Sequence, residues 1–114
     1  MPTVAEVLRA AAARVRRGHT KGRYQDPDSG NVCAVGALIC EAYGIGDVIK
    51  DLTFSISGRD TFHTAAEVLN TYLHTVDPTV NYHGTTVWND RPETTAEDVA
   101  VAMEKAAARW EEQA

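Results

Sequence analysis

The sequence has no long apolar segment of the kind that membrane spans and secretion signals require. The longest apolar run, Cys33–Cys40, is far shorter than the roughly 20 residues that cross a bilayer. The first residues, MPTVAEVLRAAAARVRR, contain no basic stretch followed by an unbroken apolar core, so they do not resemble a signal peptide. We therefore expect a cytoplasmic protein without membrane attachment.

Cysteine is also scarce, and the spacing of the two cysteines excludes a disulfide between them. Cys33 and Cys40 lie in one predicted helix, whose rise separates them by about 10 Å. A disulfide requires Cα atoms within about 7 Å of each other. Both are expected to be free thiols, as is usual in a reducing compartment.

The chain lacks the residue patterns that commonly bind metals or cofactors. Gly44-Ile45-Gly46 is too short to indicate a phosphate-binding loop. His63, Glu67 and His74 share the polar face of a predicted helix. However, His63 and His74 are about three turns apart and cannot hold one ion together. We expect neither a metal nor a cofactor.

Charge balance and length are those of one ordinary globular domain. The 114 residues carry a formal net charge of −5, with 44% apolar and 24% charged residues. No linker or low-complexity tract divides the chain, so we expect a single domain over residues 1–114. The negative charge disfavours nucleic acid and anionic membranes as partners.

Three segments begin with Thr-x-x-Glu, the pattern of a helix capping box. They predict helices that begin near Thr3, Thr64 and Thr94. We expect the first helix to end at Gly18, and the one from Thr64 to end at Asp77-Pro78. Apolar residues follow at helical spacing in the two later helices and predict their buried faces: Ala65, Val68, Leu69, Tyr72, Leu73 and Val76, then Val99, Ala102, Met103, Ala106 and Trp110.

The segment Cys33–Tyr43 predicts a helix of a different kind. It is apolar or small on every side, and only Glu41 is charged, which is typical of a helix in the middle of a fold. Asn31 is the expected N-cap residue, which places Cys33 in the first turn. Gly36 costs about 1 kcal/mol relative to Ala inside a helix, so we expect another backbone or a ligand to come close to it.

The other segments predict loops and one small β-hairpin. Residues 18–32 are rich in turn-forming residues and predict a loop. Residues 80–82 and 85–88 fit two short strands joined by a turn at His83-Gly84. In residues 44–60, alternation of Leu52, Phe54 and Ile56 fits a strand, whereas residues 47–52 also fit a helical turn, and periodicity does not decide between them.

These patterns together predict a mainly α (α+β) fold. We expect about four helices packed around the central apolar helix 33–43, with a small β-hairpin near residues 80–88 at one side. Because two strands alone are marginal in water, the hairpin is expected to lean on the helices.

Cys33 is a candidate nucleophile, because a thiol at the start of a helix lies near the positive end of the helix dipole, which lowers its pKa. A hydrolase or transferase built on Cys33 needs a base. The candidate bases are His83 and His19, because both lie in predicted loops that could approach Cys33. Asp90 or Asn89 would orient that base. The alternative is that Cys33 is a small buried apolar residue, as most free cysteines are. This pattern alone is not sufficient to assign a catalytic role to any residue.

A basic segment, residues 14–23, stands out in an acidic chain. It supplies candidate contacts for an acidic partner, a phosphate or a nucleotide, together with the stacking surface of the next residue: Arg16, Arg17, Lys21, Arg23 and Tyr24. The alternative is that the arginines complement the C-terminal end of the first helix and that the rest is a solvated loop.

The segment Trp88-Asn89-Asp90 supplies a second set of candidate binding residues. Trp88 would form the wall of a pocket for a small-molecule ligand, with Asn89 and Asp90 as polar anchors. Alternatively, Trp88 fills the core while Asn89 and Asp90 hold the loop by hydrogen bonds to the backbone.

Three stretches of the chain resemble an uncharacterised family of small actinobacterial and actinobacteriophage proteins, whose motifs are similar to G-W-x-x-G-x-(Y/L), C-A-x-G-A-(L/I) and W-N-D. Gly18, Gly22 and Tyr24 match the first, with His19 in place of the tryptophan. Residues 33–38 match the second and residues 88–90 the third. The resemblance implies that the motifs meet in space, with Cys33 near Asp90, and it implies no particular reaction.

We therefore expect a small non-catalytic binding or regulatory protein, actinobacterial or phage-encoded, that acts through a protein partner. A phage protein would act in the host cytoplasm. The contact surface is expected to include residues 14–23 and the hairpin. The alternatives are an enzyme centred on Cys33 and a protein that binds a nucleotide or another small ligand at Arg23, Tyr24 and Trp88.

Overall fold

The computed structural model describes residues 2–48, 50–51, 56–81 and 84–113. Within these ranges the chain forms five helices: α1 Val4–Arg17, α2 Ala34–Tyr43, α3 Ile56–Val76, α4 Thr85–Asp90 and α5 Ala96–Gln113. The same ranges contain no β-strand, and β-type pairing is limited to isolated bridges of Val32 with His19 and with Gln25. The described part of the chain is thus mainly helical, as predicted, and the β part of the predicted α+β fold is wrong there.

The first helix follows local sequence rules, and its predicted ends are confirmed. The Thr3 hydroxyl accepts a hydrogen bond from the Glu6 N–H, and the Glu6 carboxylate accepts one from the Thr3 N–H. At the other end, the N–H of Gly18 donates to carbonyl groups of the last turn. Only residues within four positions of each other take part, so the sequence was sufficient to place this helix.

The second helix is buried along most of its length, because seven of its ten residues are buried. Its N-cap residue is Cys33 rather than Asn31, because the Cys33 sulfur accepts the N–H of Gly36 at 3.3 Å. The prediction of Asn31 as the cap is wrong. The helix ends at Gly44 in the left-handed conformation (φ 67°), which glycine adopts without strain.

The third helix begins at Ile56, eight residues before the predicted start, so Thr64 lies inside the helix. The first two turns pack against the end of α2. Gly58 is buried against the Tyr43 ring, and the rings of Tyr43 and Phe62 lie 6.4 Å apart. This contact explains the longer helix, because tertiary packing stabilises turns that local capping does not mark. Ile56, part of the proposed strand, is helical, and residues 52–55 lie outside the described residues.

The predicted β-hairpin is also wrong, because residues 85–90 form helix α4. A long-range contact begins this helix: the Asn70 side-chain oxygen accepts hydrogen bonds from both the N–H and the hydroxyl of Thr85, at 3.0 and 2.8 Å. Residues such as Thr85 and Val87 favour strands by only about 1 kcal/mol or less, so such contacts override the preference. Tyr82, the last residue of the predicted first strand, and His83, in the predicted turn, lie outside the described residues.

The last helix begins with a reciprocal pair one residue later than the predicted box. Thr95 and Asp98 exchange backbone-to-side-chain hydrogen bonds at 3.0 and 3.1 Å, while the Thr94 hydroxyl donates to the carbonyl of Trp88. The helices enclose one core, in which α1 packs against α2, α3 and α5, and α2 packs against α1, α3 and α4. Its largest fully buried side chains include Leu8, Leu38, Leu69, Leu73 and Met103.

Candidate functional site: the loop between α1 and α2

The connection from α1 to α2, residues 18–33, is a long loop whose backbone is held in place. The N–H of Val32 donates to the carbonyl of Gly18, and the carbonyl of Val32 accepts from Thr20, both at 3.0 Å. Further along, the N–H of Cys33 donates to the carbonyl of Tyr24 at 3.1 Å. Val32 itself is buried in the core. These bonds fold the loop back on itself and leave residues 22–24 exposed.

Asn89, at the end of α4, joins this loop to the beginning of α2. Its side chain is fully buried, and its oxygen accepts the N–H of Ala34 at 3.0 Å and lies 2.7 Å from Nε2 of His19. Its nitrogen donates to the carbonyl of Thr20 at 3.3 Å and to Asp90 at 2.9 Å. Because the amide oxygen has no proton, the hydrogen between it and His19 belongs to Nε2 of the imidazole.

Asp90 and Lys21 add a second connection between the same segments. Oδ1 of Asp90 accepts the backbone N–H of Gly22 at 3.0 Å. The Lys21 ammonium donates to the backbone carbonyl of Arg91. The three segments that carry the family resemblance are therefore in contact. Every buried side-chain nitrogen or oxygen in the described ranges has a hydrogen-bond partner, so this cluster is satisfied internally.

Gly36 explains why the loop lies so close to α2. A Cβ atom at this position would lie 1.9 Å from the carbonyl oxygen of Tyr24. The expectation that another backbone or a ligand approaches Gly36 is confirmed, and the approaching group is the backbone of the loop. Glycine is needed here for close approach.

The Cys33 thiol is buried, with 2% of the residue exposed. Burial raises the pKa of this thiol and the nearby Asp90 carboxylate acts in the same direction, while the backbone N–H groups of Gly36 and Val35 act against it. A raised pKa means less thiolate at neutral pH, which disfavours nucleophilic chemistry. His83, one proposed base, lies outside the described residues, and the other, His19, has its Nε2 directed at Asn89. The nucleophile hypothesis thus gains no support from this geometry.

The basic segment is divided between structural ion pairs and exposed side chains. Arg14 pairs with Glu41 at 3.1 Å. Arg16 reaches α5 and pairs with Glu97 and Glu104 at 2.8 and 2.7 Å. These contacts fasten α1 to its neighbours, so Arg14 and Arg16 are occupied within the protein.

Two exposed cations of the basic segment remain outside these ion pairs. Arg17 and Arg23 form no ion pair within the described residues. Tyr24, next to Arg23, is 52% exposed. The predicted contact residues therefore separate into an exposed set (Arg17, Arg23 and Tyr24) and a set that holds the structure together (Arg16, Lys21, Asn89 and Asp90).

Trp88 is partly buried and packs against the core. It also lines a groove between α3 and α5. The sequence predictions missed this groove because they assigned its residues to buried faces. Val76 is 58% exposed and Trp110 37% exposed. The sequence signal for the groove is the width of the apolar stripe on α3, which contains six residues. In the structure only Ala65, Leu69 and Leu73 of this stripe are buried.

The two histidines of α3, His63 and His74, belong to no group of three ligating side chains within the described residues. Nδ1 of His74 lies 2.6 Å from the carbonyl oxygen of Val80. In the part of the chain that the structure describes, no three side chains of His, Cys, Asp or Glu are grouped so that they could hold a metal ion. None of the helices in these ranges combines the length and the apolar character that crossing a membrane requires.

Comparison with known proteins identifies a family. The model of a family of unknown function, DUF6197, matches residues 1–109. No curated protein and no solved structure matches the chain. Because this match spans nearly the whole chain of 114 residues, the chain belongs to DUF6197, a family of unknown function.

Proposed function

We propose that this protein is a non-catalytic binding protein and that the exposed part of its α1–α2 loop contacts an acidic surface of a protein partner. The observation that supports this most directly is the combination of a fixed loop backbone with free side chains. Arg17 and Arg23 are exposed without ion pairs in the described part of the chain, and Tyr24 is half exposed. Tyrosine and arginine are enriched among residues that dominate binding energy.

The length of the loop supports the same proposal. Helix α1 ends at residue 17 and α2 begins at residue 34, which leaves 16 residues between them. Loops longer than about 12–15 residues without secondary structure of their own are uncommon, and many of them are functional. Here Asn89 and Asp90 hold the loop before any partner arrives. Binding then costs less conformational entropy than it would with a free loop.

The proposal narrows the predicted contact surface. Arg16 and Lys21 already bind groups inside the protein, so we assign them to holding the loop and helix. Trp88, Asn89 and Asp90 are likewise assigned to support. We propose a cytoplasmic location because both cysteines are free thiols. The proposal of an actinobacterium, or of a host where the gene is carried by a phage, depends on the family resemblance alone.

The experiment is quantitative affinity capture from an actinobacterial lysate with three forms of the protein. The test variant is Arg17→Glu/Arg23→Glu/Tyr24→Ala. The matched control, Lys50→Glu/Arg59→Glu, reverses two exposed cations elsewhere on the surface. We expect the wild type and the control to retain the same partner equally, and the test variant to lose it. High salt should weaken this binding, because the contact is ionic. Equal retention by the test variant, or loss by the control as well, would reject this surface.

A further inference from the structure

A groove runs between α3 and α5, and α4 and the segment that joins α4 to α5 also contribute to its lining. It consists of two adjoining concavities of about 280 and 470 Å³ that share Tyr72. One extends from Tyr72 toward Thr64 and Gln113, and the other toward Val76 and Glu93. The distance from Thr64 to Val76 corresponds to about 18 Å of helix. The groove is therefore long enough for a helix of about twelve residues.

The floor of the groove is apolar and partly open to water. Val68, Tyr72 and Val76 are spaced four residues apart along α3, and Ala106 and Trp110 lie on α5. Val76 is 58% exposed and Trp110 37% exposed. An amphipathic helix uses apolar residues at this spacing when it binds a groove between two helices. The stripe on α3 offers matching contacts over more than two turns.

The rim is acidic at one end. The wider concavity is lined by four carboxylates (Asp77, Glu93, Glu97 and Asp98) and two cations (Arg91 and Lys105). Arg91 is already paired with Asp77 at 2.9 Å. Glu97 shares Arg16 with a second carboxylate, Glu104. Negative charge is therefore in excess near the beginning of α5, whereas Glu67 and Arg109 balance each other at the opposite end.

We propose that this groove binds an amphipathic helix of a partner protein whose polar face carries Lys or Arg next to the beginning of α5. Charge complementarity selects this partner over a second copy of the chain, which brings the same acidic end and a net charge of −5. None of Arg17, Arg23 and Tyr24 lines the groove, so a failure of the loop proposal leaves this one standing, and the reverse is also true.

The experiment uses two synthetic helical peptides of about 14 residues as probes. Both carry leucine at spacings of three and four, and the remaining positions are mostly lysine in one and mostly glutamate in the other. Binding of each labelled peptide is measured by fluorescence anisotropy near physiological salt. We expect the lysine peptide to bind at least about tenfold more tightly than the glutamate peptide.

Two single-residue variants separate the groove from general attraction to an acidic protein. Val76→Asp places a charge on the groove floor, and Val87→Asp places the same charge on α4 at a residue that is 68% exposed. Because both positions are exposed, both variants should fold. We expect Val76→Asp to lower the affinity for the lysine peptide about tenfold or more, and Val87→Asp to leave this affinity unchanged.

Three outcomes of the peptide measurements would overturn the proposal. They are equal affinity of the two peptides, equal affinity of the two variants for the lysine peptide, and no detectable binding of the lysine peptide to the wild type. Analytical ultracentrifugation adds a fourth such outcome: a wild-type dimer that Val76→Asp dissociates would assign the groove to a second copy of the chain.

Discussion

Replacing Asn89 by aspartate tests the hydrogen-bonded junction that holds the α1–α2 loop. The substitution keeps the shape of the side chain but replaces an N–H₂ donor by an oxygen. In the native protein that nitrogen donates to the carbonyl of Thr20 and to the carboxylate of Asp90. In the variant, the carbonyl of Thr20 and the carboxylate of Asp90 face an oxygen that has no hydrogen to donate. The new carboxylate also lies beside that of Asp90. The oxygen that accepts from Ala34 is unchanged.

The cost follows from the burial of the residue. Asn89 is fully buried, so the two lost hydrogen bonds cost about 1 kcal/mol each, and the buried charge beside a like charge costs about 1–3 kcal/mol more. We expect the free energy of unfolding at pH 7 to fall by about 3–5 kcal/mol. This is a large fraction of the roughly 5–15 kcal/mol that stabilises a typical domain. The corresponding decrease in Tm is about 10–20 °C.

The same substitution predicts a pH dependence with a definite sign. Burial and the adjacent Asp90 carboxylate favour the protonated form of the new carboxyl, whereas the N–H groups of Ala34 and His19 favour the charged form. We expect burial and Asp90 to dominate, so that folding raises the pKa of the new group above the roughly 3.9 of an unfolded aspartate. Between these two pKa values the folded state binds more protons than the unfolded state, so lowering the pH favours folding. The deficit relative to wild type should therefore shrink as the pH falls from 7 toward about 4.5.

Urea denaturation of wild type and variant at both pH values measures these quantities. Asn81→Asp is the matched control, because Asn81 is exposed and the same charge there should change stability by less than about 0.5 kcal/mol. Amide exchange of residues 18–33 should accelerate in the Asn89 variant. A deficit no larger than that of the control, or one that stays constant with pH, would refute the assigned role of Asn89.

Two further predictions concern the start of α2. Gly36→Ala should lower the free energy of unfolding by about 2 kcal/mol or more in urea denaturation, because its Cβ would overlap the backbone of Tyr24 and the loop would have to move. Gly46→Ala, which meets no atom within 4 Å, should be close to neutral, and equal effects would contradict the close approach. The Cys33 thiol should react slowly with iodoacetamide in the native protein at neutral pH, because burial raises its pKa. Its reaction should become faster in denaturant, and faster still when the pH is raised above the pKa of an ordinary thiol. Rapid native-state alkylation near pH 6 would instead support the nucleophile hypothesis.

Much of the helical structure was predictable because it depends on local patterns. The capping box of Thr3 and Glu6 places the beginning of α1, and Gly44 places the end of α2, since both involve groups within one turn. The exposed side chains of Arg17 and Arg23 were also among the predicted contacts. Their neighbour Arg16 has the same chemistry in the sequence but binds α5 in the structure, and no local pattern distinguishes the two.

The sequence by itself determined where α1 begins and ends and that its neighbour α2 is apolar on all sides. Only the tertiary structure decided that residues 85–90 form a helix, that α3 starts at Ile56 and that Cys33 caps α2. The reason is the distance along the chain between interacting groups. Asn70 and Thr85 are 15 residues apart, and Asn89 and Ala34 are 55 apart. Such bonds form when packing brings the segments together, and each is strong enough to override a local preference of a few tenths of a kcal/mol per residue.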